Sequence, residues 1–199
     1  MARIQGKKNP GWLTRLVYWV ARRRFGRVPE PLQITAHNGW ILAANVGFES
    51  FLPKARALDA RAKDLVNLLV AMRIGCPFCV DIGSAIARSH GLDAEDVQAL
   101  RQWRSSKRFS AREQLMFEYA EKMTTAPVEI PEPLFRALEE LLGPAGLVEL
   151  SAVVAWENYR SRFNVSFDAQ AEGYSEGAAC EIPPRAEETA PAALRARHG

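Results

Sequence analysis

Ile74-Gly75-Cys76-Pro77-Phe78-Cys79-Val80-Asp81-Ile82-Gly83 is the stretch from which the fold and chemistry of this 199-residue chain are read. Residues 64–72 before it and 78–88 after it both carry a helical pattern. Gly75 permits the break between them, and Pro77 suits the first position of a new helix, where its missing N–H costs nothing. Cys76 then falls near the N-cap and Cys79 in the first turn. Unpaired backbone N–H groups and the positive end of the helix dipole favour thiolate at such positions. Residues three apart on a helix hold their Cβ atoms about 5–6 Å apart, somewhat wide for a disulfide, and a tightened first turn closes that gap. The pattern points to a dithiol that opens and closes. Two plainer readings stand beside it. One is half of a zinc site, for which three histidines and no second cysteine pair supply no visible four-ligand set. The other is a pair of buried cysteines packing as small hydrophobes.

Outward from this stretch the periodicity stays helical. Helices are predicted over 12–25, 35–51, from a cap at Asp59 to 72, and from a cap at Asp93 to 103. Ser110 and Glu113 form a capping box that opens another. Pro131 and Pro133 start a helix over 132–142, and the last runs over 146–167. No strand alternation survives inspection. The expected fold is all-α, with seven or eight helices. It divides into a basic N-terminal arm (1–30), a helical domain (31–172) and a tail (173–199) rich in glycine, alanine and proline that is expected to be mobile.

The net charge of +3 conceals an asymmetry. Eight Lys or Arg and no acid precede Glu30, whereas the remaining 18 basic residues face all 23 acids. The arm helix places Trp12, Leu16, Trp19 and Val20 on one side, with Arg15, Arg22 and Arg23 around the other. Such a stripe packs on the protein's own body or on a neighbouring subunit, in preference to an anionic membrane surface. One basic helix without a recognition motif argues against a nucleic-acid partner. Arg15 interrupts the apolar run and Arg22-Arg23-Arg24 stands where a signal peptide would carry small residues, and no run reaches transmembrane length. Three cysteines, two of them in one CxxC, are no secreted disulfide framework. The expected compartment is the cytoplasm.

Residues 58–100, with an acidic residue near the start of a helix, then GCxxC, then a helix closed by Gly91 before a capped helix, resemble the carboxymuconolactone decarboxylase-like superfamily. The cysteine-bearing branch they resemble is the alkylhydroperoxidase D (AhpD-like) group. The resemblance extends over about residues 31–164. It implies an all-α subunit that assembles into a homo-oligomer. It also implies peroxide reduction by the two thiols, with a Glu and a His relaying protons. On that pattern Cys79 attacks the peroxide and Cys76 resolves the product as a disulfide. The family glutamate falls on Asp64, one methylene shorter, and the family histidine falls on Gly83. Proton delivery must then come from elsewhere. The dipole favours Cys76 as the more acidic thiol, while the resemblance assigns attack to Cys79.

In the last predicted helix Glu157, Arg160 or Ser161, and Asn164 share a face. Glu157 is a candidate for the missing acid–base group, with an internal pairing to Arg160 or Ser161 as the alternative. His90 reads as a helix C-terminal cap, Asp81 as a poor relay on the far side from Cys79, and Cys180 as a free thiol. The function expected is a thiol-dependent peroxidase or disulfide reductase acting on a small-molecule peroxide or other small substrate. Its site residues would be Cys79, Cys76, Asp64 and Glu157, its partner an external thiol/disulfide reductant, and it needs no haem, flavin or metal. The alternatives are a lactone decarboxylase or isomerase, in which a cysteine pair is superfluous, and a non-catalytic oligomeric redox sensor.

Overall fold

The computed structural model describes residues 2–175, and every regular element among them is helical. The α-helices are α1 (Trp12–Phe25), α2 (Glu30–Thr35), α3 (Gly39–Phe51), α4 (Ala60–Ile74), α5 (Pro77–Ser89), α6 (Ala94–Ala99), α7 (Ala111–Thr124) and α8 (Glu132–Ser166). Short 3₁₀ turns extend α3 and α6 at Leu52–Lys54 and Leu100–Gln102. No described helix is long and apolar enough to cross a membrane.

The centre is α4, which packs on α5, α7 and α8 at once. That position explains its composition: Ala62, Leu65, Val66, Leu68, Leu69, Val70 and Ala71 are all buried. Each large aliphatic side chain so buried contributes about 1.5–3 kcal/mol. Its start is fixed by Asp59, whose side chain accepts the Ala62 N–H at 2.7 Å. Its end is fixed by Gly75 in the left-handed region (φ 75°). Glu149 of α8, also buried, accepts the N–H groups of Ala57 and Leu58 and pairs with Lys63 at 3.0 Å. It ties the entry of α4 to the long helix behind it. The capping box at Ser110 and Glu113 is present at the start of α7.

Two expectations change and one stands. The helix expected over 35–51 begins later, at Gly39, because Asn38 caps α3 through the Trp40 and Ile41 N–H groups, and a separate short helix, α2, precedes it with Pro31 in its first turn. The two helices expected over 132–142 and 146–167 are both present within α8, which breaks at Gly143 (φ 66°, ψ 171°), where the backbone is not helical, next to Pro144, which has no N–H to bond. The tail is not loose from residue 173: Ser175 is buried and hydrogen-bonded, for the reason given below. Cys180 lies outside the described residues.

The arm helix α1 forms over the expected range, yet within the single chain its stripe is not covered. Trp12 is 75% exposed and Leu16, Trp19 and Val20 are each more than half exposed; Ala21 alone is buried. Packing of the stripe on the chain's own body is therefore not what the structure shows. The arm is held at its ends instead, by the Arg3 N–H on the Phe167 carbonyl and by Phe25 edge-on to Tyr174. Helix α3 is likewise apolar and outward-facing, with Trp40, Phe48 and Phe51 exposed and Leu42 its one buried residue.

Candidate functional site

Cys76 is the N-cap of α5, and its sulfur accepts the Cys79 N–H at 3.2 Å. Pro77 occupies the first turn, as its lack of an N–H allows. Cys76 and Cys79 are joined as a disulfide, with Cα atoms 5.3 Å apart. Both are buried, Cys76 completely and Cys79 with 7% exposure. They sit in a small apolar cluster with Ala71, Phe78, Val80 and Ala169, flanked by Met72, Val165 and Tyr174. Three elements thus close on the pair: the end of α4, the end of α8, and the segment after α8.

From α8, Asn164 points its Nδ2 donor at Cys79 Sγ, 3.2 Å away and out of water. It belongs to the polar face read from the sequence, but its contact with a sulfur was not foreseen. Residues 168–175 fold back over α5 as a strap. Asp81, 1% exposed, receives the N–H groups of Glu172, Tyr174 and Ser175 at 2.8, 3.0 and 2.8 Å. Burial pushes the Asp81 carboxyl up, and these donors outweigh it, leaving its pKa below the ordinary carboxylate value. Tyr174 is gripped between Phe78 and Phe25, with Arg27 over its ring. Asp81 is therefore an anchor, in keeping with its being no relay. The signal for the strap was an acid buried in an otherwise apolar α5 and a lone tyrosine in a glycine- and alanine-rich segment.

The acid–base candidates are placed elsewhere. Asp64 accepts from His90 Nδ1 at 2.6 Å. This pair lies at the C-terminal end of α5, eleven residues beyond Cys79, or roughly 16 Å of helical rise. Burial raises the Asp64 pKa against the pull of His90. His90 is the C-cap of α5. Glu157 is fully buried, with one oxygen accepting from Ser161 at 2.6 Å and the other paired to Arg160. Arg160 also binds Glu49 at 2.8 Å. Burial pushes the Glu157 carboxyl up, opposed by Arg160 and Ser161. Burial would lower Arg160, and the two carboxylates outweigh it and hold it protonated. The internal pairing considered for Glu157 is thus present. It leaves the carboxylate two helical turns, about 10 Å of rise, from Asn164. At Gly83, the position of the histidine of the resemblance, a Cβ would meet Leu68 Cδ2 at 3.1 Å, so a side chain there requires Leu68 to shift. His37 bonds the Gln5 carbonyl, in the N-terminal segment.

Comparison with known proteins agrees with this architecture. The model of the carboxymuconolactone decarboxylase family matches residues 42–122, a span that includes both cysteines and Asp64. The uncharacterized protein YnjA of Escherichia coli (strain K12) is 31% identical over 166 residues, 83% of this chain and 88% of that one. Among solved structures, an uncharacterized peroxidase-related protein from Ralstonia eutropha JMP134 with an alkylhydroperoxidase AhpD core superposes with a TM-score of 0.79. It is 17% identical, over 90% of this chain and 97% of its own. The debrominase Bmp8 gives 0.76 at 19% identity, over 86% of this chain and 92% of its own. At these identities the likeness to the solved structures is one of fold.

Proposed function

Because this chain belongs to the carboxymuconolactone decarboxylase family and carries a cysteine pair at a helix N-terminus, where thiolate is favoured, we propose that it is a dithiol oxidoreductase that reduces a small peroxide. The observation that carries the reading is the pairing of Cys76 with Cys79 inside a buried apolar cluster, beside a hydrogen-bond donor to Cys79. In the reduced protein the Cys79 thiolate attacks the nearer peroxide oxygen and the O–O bond breaks. The departing alkoxide takes a proton from water, since Glu157 and Asp64 are committed to other partners. Cys79 is left as a sulfenic acid. The Cys76 thiol then displaces that hydroxyl as water, forming the disulfide. An external dithiol reopens the bond by thiol–disulfide exchange and leaves oxidised. Lactone decarboxylation makes no use of such a pair.

A homo-oligomer is part of the same reading. It is supported by two apolar helix faces, on α1 and α3, that the single chain leaves in water. The test is consumption of cumene hydroperoxide with dithiothreitol as reductant. Turnover by the native chain that is lost in Cys79→Ser supports the proposal; absence of turnover above the uncatalysed rate in the native chain overturns it.

A further inference from the structure

Position in the helix and resemblance to the family disagree over which thiol of the pair is the nucleophile. We propose that Asn164 is a catalytic residue that selects Cys79, by donating its side-chain N–H to the Cys79 sulfur as that sulfur becomes a thiolate. The inference rests on the dithiol reading above and adds to it the group that sets the order of attack.

The geometry is specific to one sulfur. Asn164 Nδ2 stands 3.2 Å from Cys79 Sγ, and both residues are 7% exposed. Cys76 Sγ has a different donor, the backbone N–H of Cys79. Asn164 is also held in place. Its backbone carbonyl accepts the N–H groups of Phe167 and Ala169, at 3.2 and 3.0 Å, and Ala169 is packed on the cysteines. Helix end and strap together hold the Asn164 backbone beside the cysteines.

Its chemistry discriminates between oxidation states. A disulfide sulfur is a weak acceptor, whereas a thiolate makes a charge-assisted bond of roughly twice the strength. The contact therefore gains strength as Cys79 is deprotonated, which raises the fraction of Cys79 present as the reactive thiolate. The other groups closing on the pair are Ala71, Met72, Val165, Ala169 and Tyr174. The Tyr174 phenol, pushed up to about 12 by burial and by Glu172, is neutral at pH 7. Asp81 and Glu172, the nearby carboxylates of α5 and the strap, accept backbone N–H groups. Asn164 thus does at Cys79 part of what a cationic side chain would do, without supplying a proton.

The test isolates each thiol. In the Cys76→Ser/Cys180→Ser protein, where serine keeps an N-cap acceptor, the Cys79 thiolate is titrated by its ultraviolet absorbance. Asn164→Ala is expected to raise the Cys79 pKa by about one to two units, a thiolate fraction about 10- to 100-fold smaller at pH 7. Asn164→Leu, of similar volume, gives the same shift and serves if the alanine variant fails to fold. In the Cys79→Ser/Cys180→Ser protein neither substitution moves Cys76. A Cys79 value unchanged by either substitution overturns the assignment. So does an equal shift at Cys76, which would mean that packing and not the donor is responsible. The titration needs no turnover, so it stands or falls apart from the peroxidase assay.

Discussion

Replacing Asp81 by alanine should open the site without touching a sulfur. The carboxylate receives three backbone N–H groups from the strap, at 2.8, 3.0 and 2.8 Å. Hydrogen bonds to a charged acceptor contribute about 1.5–3 kcal/mol each, so the latch as a whole contributes on the order of 4–9 kcal/mol. Ordering the backbone of residues 169–175 costs on the order of 7–14 kcal/mol, offset beyond the latch by burial of Ala169 and Ser175 and by the ring contacts of Tyr174. The strap is thus close to balance. Removing the latch leaves three N–H groups, one buried and two part-buried, without that acceptor until the segment peels away and water takes them. The loss saturates once the strap is free. A conservative figure is about 3 kcal/mol, roughly 100-fold in the population of open strap. The rate at which dithiothreitol reduces the Cys76–Cys79 bond should rise accordingly, and the amide protons of Glu172, Tyr174 and Ser175 should exchange faster by a similar factor. An Asp81→Ala protein with native exchange at those amides and a native reduction rate would refute the claim that the strap controls access.

Three further outcomes follow from the same contacts. The Asp81 carboxyl is depressed in the folded state, so its contribution is complete above the unfolded carboxylate value of about 3.9 and is lost as pH falls through the lower folded value; strap protection measured by hydrogen exchange should be flat from pH 7 to about pH 4 and fall only below. Glu149→Ala should destabilise the protein by about 3–5 kcal/mol in urea unfolding, because it strands Lys63 and the Ala57 and Leu58 N–H groups; a loss below about 1 kcal/mol would show that water replaces the carboxylate. Gly83→His should lower thermal stability by an amount equivalent to about 1–3 kcal/mol, since the new Cβ alone meets Leu68 at 3.1 Å, and a turnover gain in a protein of unchanged melting temperature would show that the site admits the imidazole.

The helical class and the turn that carries the cysteines were legible because both are local. Period, Gly75, Pro77 and the caps at Asp59, Asp93 and Ser110 all act within a few residues of where they stand. The site beyond the two cysteines was less legible because it is made by contacts across the chain. Asn164 reaches a residue 85 positions away, and Asp81 binds a segment more than 90 positions on. Composition suggested a mobile tail from Gly173, but one tyrosine between two aromatic rings and one buried carboxylate outweigh that tendency as far as Ser175. Asp64 met the spacing expected of an acid near the thiols, yet its shorter side chain is taken by His90 at the other end of α5.

The most direct measurement of the central claim is a single-turnover mass experiment on the reduced Cys180→Ser protein. One equivalent of hydrogen peroxide is added, and intact mass and peptide map are recorded at successive times. The account predicts a transient gain of one oxygen on Cys79. A final loss of two hydrogens should follow, located to a single Cys76–Cys79 disulfide and reversed by dithiothreitol. A sulfenic acid that appears on Cys76, or a protein that keeps both thiols in the presence of peroxide, would contradict it.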